Sequence, residues 1–296
     1  MERLKASDFP REVLKLFDGY VHGMLDRRAF LNGAAKYAVG GFSAAAMLES
    51  LRPNYAWAQQ VAKNDPRIKA EYAEYDSPQG NGRMKGYLAR PAKAGGKLPA
   101  IVVFHENRGM NPYTEDVVRR LATEGYLAFA PDALTPLGGY PGDEDKAREM
   151  FTKLDTAKRI EDMAAAANFV KTHAESTGRL GATGFCNGGT VCNLMATRMP
   201  DLLAAAPYYG GPVPAADVAK IKAALLVHHA GLDERLLATW PAFEATLKAN
   251  NVRYEVHIYP NTHHGFHNDT TPRYDEAAAK LSWQRTLDLF AKHVKG

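Results

Sequence analysis

A cysteine flanked by glycines sits where a strand-like run gives way to a helix-like one, in Gly184-Phe185-Cys186-Asn187-Gly188-Gly189. Glycine-x-nucleophile-x-glycine is the pattern of a turn so tight that its central residue is strained and its neighbours carry almost no side chain. Such a turn lifts Cys186 above the strand ends. It also aims the next helix's N-terminus at the sulfur, where partial positive charge favours a thiolate and a developing oxyanion. A buried cysteine beside a glycine-rich turn would read the same way. Later segments favour the chemistry. Gly231-Leu232-Asp233-Glu234-Arg235 puts an acid after one strand-like run, and His263-His264-Gly265-Phe266-His267 puts a histidine after the next.

Nucleophile, acid and histidine in that chain order form a triad. Cys186 attacks a carbonyl and becomes a thioester that water later cleaves. His264 takes the thiol proton and returns it to the leaving group. Asp233 fixes the imidazole tautomer and stabilises its charged form. The backbone N–H of Asn187 is one expected oxyanion donor. The loop after residues 100–105 supplies the other, at Asn107.

Positioning these groups requires strands that end together. Strand-like runs cover 69–75, 83–90, 100–105, 126–131, 180–184, 204–209, 223–230 and 253–259. Several, such as Ala100-Ile101-Val102-Val103-Phe104, are continuous apolar runs that suit strands covered on both faces. Helical periodicity covers 112–124, 143–154, 156–173, 188–199, 236–250 and 273–294. This alternation predicts an α/β fold of about eight strands, mostly parallel, with helices on both faces, and the nucleophile–acid–histidine order is the one expected of the α/β-hydrolase fold. The first two strands, joined by Ser77-Pro78-Gln79-Gly80-Asn81-Gly82, read as an antiparallel hairpin. Functional groups of such sheets gather at the C-terminal strand ends.

The 296-residue chain has 46% hydrophobic and 24% charged residues, which excludes a disordered polyelectrolyte and a multi-span membrane protein. A net charge of +4 without a basic block gives no reason to expect a nucleic-acid partner. Two cysteines cannot build a disulfide framework. The expected organisation is an N-terminal segment over 1–60 and a catalytic domain over 61–296.

The N-terminal segment has two readings. Asp26-Arg27-Arg28-Ala29-Phe30-Leu31, an apolar run over 37–48 and Ala56-Trp57-Ala58 follow the order of a twin-arginine export leader, which would place the protein in the periplasm. The apolar run is only 12 residues long, too short for a membrane-spanning helix. However, Pro10 after Asp8, with Val13, Leu14, Leu16, Phe17, Tyr20 and Val21 at helical spacing, describes an amphipathic helix that a leader does not need. A structural arm, packed on the body or on a neighbouring subunit of a homo-oligomer, would need it, and the protein would then be cytoplasmic.

The body resembles the dienelactone hydrolase (carboxymethylenebutenolidase) family over about residues 65–294. The resemblance is carried by Gly-Phe-Cys-Asn-Gly-Gly at 184–189, His105-Glu106-Asn107-Arg108-Gly109, Pro207-Tyr208-Tyr209-Gly210 and His264-Gly265-Phe266. The arm, with Asp-Arg-Arg-x-Phe-Leu, resembles that of a subgroup of dienelactone-hydrolase-like proteins with a similar extension. The resemblance implies a Cys186–His264–Asp233 triad. It also implies a glutamate, Glu106, that takes the thiol proton once a substrate carboxylate displaces it. The family holds that carboxylate with two arginines. Arg148 matches one; the other, four residues after the histidine, is Asn268 here. Arg108 is a candidate replacement, since a guanidinium grips a carboxylate bidentately. Tyr208 and Tyr209 are candidates to line the substrate pocket.

No cofactor is expected. No metal is expected either, because His105, His228, His229, His263, His264 and His267 lack zinc-site spacing. Cys192 reads as a core thiol set off the nucleophile's face of the helix. The expected activity is thiol-dependent hydrolysis of a small-molecule ester or lactone. A broad carboxylesterase for uncharged esters, a thiol redox protein and a non-catalytic scaffold are the alternatives.

Overall fold

In the computed structural model, which describes residues 3–38 and 42–296, eight strands form one sheet in the order β1-β2-β4-β3-β5-β6-β7-β8. They are β1 (Ile68–Ser77), β2 (Gly82–Pro91), β3 (Leu98–Phe104), β4 (Leu127–Pro131), β5 (Ser176–Phe185), β6 (Leu202–Tyr208), β7 (Ala224–Ala230) and β8 (Tyr254–Tyr259). β1 and β2 pair as the expected antiparallel hairpin, and β2 is antiparallel to β4. From β4 to β8 every pair is parallel. The central strands carry apolar side chains on both faces because both faces are covered.

Helices α4 (Pro112–Thr123) and α10 (Glu276–Phe290) cover one face, burying Tyr113, Val117 and Phe290 against Ile101 and Val103. The other face lies under α6 (Thr156–Thr172), α7 (Asn187–Arg198) and α9 (Trp240–Ala249), with Met163, Met195 and Phe243 packed on Val102 and Leu225. Helix α5 (Glu144–Thr152) precedes α6.

Two helices differ from expectation. The 236–250 helix is broken into α8 (Glu234–Leu237) and α9, because Pro241 in α9's first turn cannot donate a backbone hydrogen bond to a preceding turn. The last helix starts at Glu276, not at 273, because the Asp275 carboxylate caps it by accepting from the Ala278 N–H at 2.9 Å. Arg273 is thereby left in the loop leading to it.

The N-terminal segment folds into α1 (Arg11–Val21), α2 (Arg27–Ala34) and α3 (Ala44–Leu51) around a satellite core that includes Phe17, Tyr20, Phe30 and Leu48. Residues 39–41 of its apolar run lie outside the described residues. Arg27 pairs with Glu49 at 3.4 Å. Ala58 is buried, and the chain that follows is tied to α4: the Val61 N–H donates to Asp116 at 2.9 Å, and buried Arg119 donates to the Val61 carbonyl at 2.7 Å. Farther back in the chain, the end of α1 reaches the C-terminal strand ends, where Asn107 Nδ2 donates to the Val21 carbonyl at 3.0 Å. Among the described residues no helix is long and apolar enough to cross a membrane.

Candidate active site

Cys186 sits between β5 and α7 at φ 56°, a left-handed conformation that costs a side-chain-bearing residue strain. Its glycine neighbours are required by contact. A Cβ on Gly188 would lie 2.1 Å from the Phe104 carbonyl oxygen, and one on Gly184 would lie 2.1 Å from that of Gly188. The Cys186 N–H donates to the Tyr208 carbonyl at 3.1 Å, locking the turn against β6. Asn187 opens α7, whose first-turn N–H groups have no partner inside the helix.

Asp233 follows β7 and His264 follows β8. His264 Nδ1 lies 2.6 Å from Asp233 Oδ2, so its Nε2 faces away from the carboxylate and toward Cys186. A third group joins them. His22, just after α1, places Nε2 3.6 Å from Cys186 Sγ and 3.3 Å from His264 Nε2. All three ligand-capable atoms lie within 4.8 Å of one another. Asp18, one turn back on α1, backs His22 from behind: His22 Nδ1 is 2.8 Å from its carbonyl oxygen and 3.3 Å from Oδ1.

The charges follow from this geometry. Burial alone would raise the Cys186 thiol, but His264 and His22 hold it well below the ordinary range. Burial opposes the imidazolium of His264, yet the Cys186 thiolate and the Asp233 hydrogen bond raise its pKa. His22 is likewise carried against burial up to about 10 by Cys186 and Asp18. Glu106, after β3, is raised to about 7 by burial and by the negative charge on Cys186. Its Oε2 accepts from Asn268 Nδ2 at 3.1 Å.

A cavity of about 320 Å³ opens over these groups, lined among others by His22, Asn107, Arg148, Cys186, Tyr209 and His264. Arg148 is on α5 as expected, but its guanidinium donates to the Tyr20 carbonyl at 2.8 Å and lies 4.1 Å from that ring's centroid. Arg108 donates to the Val21 carbonyl at 3.3 Å and to Asn107 Oδ1 at 2.6 Å. Both arginines therefore clasp the arm. Asn107 Nδ2 also donates to the Val21 carbonyl, at 3.0 Å. Tyr209 lines the cavity. Tyr208 is turned into the core, where its hydroxyl meets Thr286 at 2.7 Å and its ring packs on His228.

Three other histidines singled out in the sequence are held by hydrogen bonds outside the triad. His105 accepts from the Ala133 N–H at 3.1 Å, and His267 meets the Tyr113 hydroxyl at 2.7 Å. His228 is buried against Tyr259 and Thr286. Cys192 is buried, which pushes its thiol well above the ordinary range.

Sequence reasoning missed His22, Asp18 and Arg273. Arg273 is 9% exposed; its Nη1 is 3.8 Å from Asp18 Oδ1, and its Nε and Nη1 make no hydrogen bond within the protein. It lines a second, narrow cavity of about 40 Å³, shared with Glu106, Cys186, His264 and Asn268. Asp18 and His22 carry one sequence signal, a spacing of four at the end of an amphipathic helix, and Arg273 carries none.

The family model for the "Dienelactone hydrolase family" matches residues 84–294, and one described as "YqhI-like" matches residues 1–37. A Salmonella typhi protein named "Putative carboxymethylenebutenolidase" is 33% identical over 225 residues, covering 71% of this chain and 83% of its own. The Escherichia coli K12 "Putative hydrolase fragment YghX" is 57% identical over 113 residues, which is 38% of this chain and 97% of that protein. The crystal structure of a Klebsiella pneumoniae protein titled "Putative Dienelactone Hydrolase" superposes with a TM-score of 0.68 at 30% identity, covering 76% of this chain and all of that one.

Proposed function

The chain belongs to the dienelactone hydrolase family, and on that premise we propose that it hydrolyses an ester or lactone through a thioester on Cys186, with His264 and Asp233 completing the triad. The observation that carries this reading is the strained turn at Cys186 with His264 beside it, held by Asp233 at 2.6 Å.

The Cys186 thiolate attacks the substrate carbonyl carbon. The oxygen becomes an oxyanion that accepts from the Asn187 N–H and from the loop after β3 at Asn107. Collapse expels the alcohol or enol oxygen, which takes a proton from His264 Nε2. In a lactone that leaving group stays attached to the acyl chain. Water then gives a proton to His264, attacks the thioester, and releases the carboxylic acid and Cys186. Asp233 accepts from His264 Nδ1 throughout and stabilises its imidazolium.

Arg273 is the proposed anchor for a substrate carboxylate. Arg273 lines the small cavity beside Cys186, and its buried Nε and Nη1 make no hydrogen bond within the protein, so a bidentate carboxylate there would satisfy them. Glu106 shares that cavity, and its pKa of about 7 suits a group that exchanges a proton with the thiol near neutrality. A broader esterase for uncharged acyl groups is the second reading, favoured by the engagement of Arg148 and Arg108 with the arm.

The test compares hydrolysis of a carboxylated enol lactone with that of an uncharged aryl ester, for the wild type and Cys186→Ser. Preference for the lactone, lost in the variant, is the expected result. Preference for the neutral ester selects the second reading. No turnover of either would remove the hydrolase assignment of this site.

A further inference from the structure

His22 comes from the arm, outside the fold that carries the other site residues, yet its Nε2 completes a triangle with Cys186 Sγ and His264 Nε2. In a tetrahedral zinc centre with Zn–S of about 2.3 Å and Zn–N of about 2.0–2.1 Å, two nitrogens lie roughly 3.3 Å apart and a nitrogen and sulfur roughly 3.6 Å apart. The observed separations are 3.3 Å between the two Nε2 atoms and 3.6 Å from His22 Nε2 to Sγ. The third edge lies within 4.8 Å.

The outer contacts match as well. Metal-binding histidines commonly donate their second ring N–H to a carboxylate or carbonyl oxygen, which fixes the tautomer and aims the ligating lone pair. His264 Nδ1 has Asp233 Oδ2 at 2.6 Å, and His22 Nδ1 has the Asp18 carbonyl oxygen at 2.8 Å with Oδ1 at 3.3 Å. Both rings therefore leave Nε2 as the nitrogen beside Cys186 Sγ and each other. Two aspartates and a thiolate place three negative charges around it, against the Arg273 guanidinium on the Asp18 side. A thiolate with two imidazoles is a donor set suited to Zn²⁺. The three ligands line the 320 Å³ cavity, which leaves the fourth vertex open to water. One side chain must give way: Arg235 Nη2 is 3.3 Å from His22 Nε2, but Arg235 is exposed and free to swing outward.

We propose that His22, Cys186 and His264 form a three-ligand Zn²⁺ site in which the ion latches the N-terminal arm over the active site. Binding takes a thiolate and two neutral imidazoles, so protons on Sγ or Nε2 leave to solvent and no electron changes hands. The bound ion occupies the nucleophile's attacking lone pair and the base's proton-accepting one, so it silences hydrolysis reversibly. That consequence rests on the hydrolase reading; the binding site itself does not.

The experiment titrates the chelator-stripped full chain with Zn²⁺ against a chromophoric competitor, in the wild type, His22→Ala, His22→Gln and Cys186→Ser. One equivalent should bind the wild type. Affinity should fall at least 10-fold in both His22 variants and in Cys186→Ser, while circular dichroism and melting show all four folded. Co²⁺ in place of Zn²⁺ should give a sulfur-to-metal charge-transfer band that Cys186→Ser abolishes. Equal affinity in wild type and both His22 variants, or no stoichiometric binding, would overturn the proposal. Because the readout is binding, failure here with turnover intact removes only the metal site. Zinc binding without turnover of any ester or lactone removes only the hydrolase reading.

Discussion

Nε2 of His22 lies 3.3 Å from Nε2 of His264, so the residue just after the first helix brings a second imidazole beside the proposed base. Only one of the two nitrogens can donate in that contact, and the thiolate beside them decides how the protons are shared. Burial raises the Cys186 thiol, while His264 and His22 lower it by more. In metal-free protein kept in chelator, the pH midpoint for alkylation of Cys186 should lie below that of an ordinary thiol. It should rise in His22→Ala and in His264→Ala. A midpoint unchanged in both variants would show that neither histidine stabilises the thiolate.

Asp233 accepts from His264 Nδ1 at 2.6 Å and is itself held below the usual carboxylate range: burial pushes it up, but the His264 hydrogen bond and positive charge, Arg235 and the Leu236 N–H together outweigh that. Asp233→Asn keeps the shape but favours the wrong imidazole tautomer. By analogy with triads generally, kcat should fall about 10²–10⁴-fold with a small change in KM. A loss under about 3-fold would remove Asp233 from the mechanism.

Much of this arrangement was legible in the sequence, because its signals are local. Strand-like runs, several of them continuously apolar, marked all eight strands, and the glycines around Cys186 marked the turn that only near-zero side chains permit. The residues after β7 and β8 then supplied Asp233 and His264. What could not be read depends on docking. His22 lies far from Cys186 in sequence, and its position is set by how the satellite core of the arm seats on the strand ends. Arg148 and Arg108 were legible as cations near the site, but their use by the Tyr20 and Val21 carbonyls was not. Tyr208 turned inward because alternate strand residues face opposite sides of the sheet, and Thr286 and His228 waited on the inner one.

Glu106 links the site to pH-dependent stability. Its carboxyl goes from an ordinary value of 4.5 to about 7 in the folded protein, by burial first and by Cys186 second. The folded state therefore keeps this proton after the unfolded chain has released it. Stability from this group is full below pH 4.5, declines as pH rises, and is lost above about 7. Glu106→Gln should flatten the chelator-treated protein's stability over that window, by on the order of 3 kcal/mol. Denaturant melts at a series of pH values check this; parallel curves for variant and wild type would contradict it.

Arg273 should separate charged from neutral substrates. Arg273→Lys keeps a cation near Asp18 but loses the planar pair of donors. It should lower kcat/KM for a carboxylated lactone by roughly 10–100-fold, chiefly through KM, as expected for a charged hydrogen bond of about 1.5–3 kcal/mol. An uncharged aryl ester should be affected less than about 3-fold. Equal losses on both substrates would make Arg273 a packing residue.

The central claim is that Cys186 forms a covalent thioester. The most direct measurement is rapid acid quenching of the metal-free enzyme mixed with an aryl ester, followed by intact-mass and peptide mass spectrometry. The account predicts a single acyl adduct on the peptide holding Cys186, accumulating in His264→Ala if water attack is slowed more than acylation, and absent in Cys186→Ser. Turnover with no adduct on Cys186 in any variant, or an adduct on another residue that persists in Cys186→Ser, would contradict it.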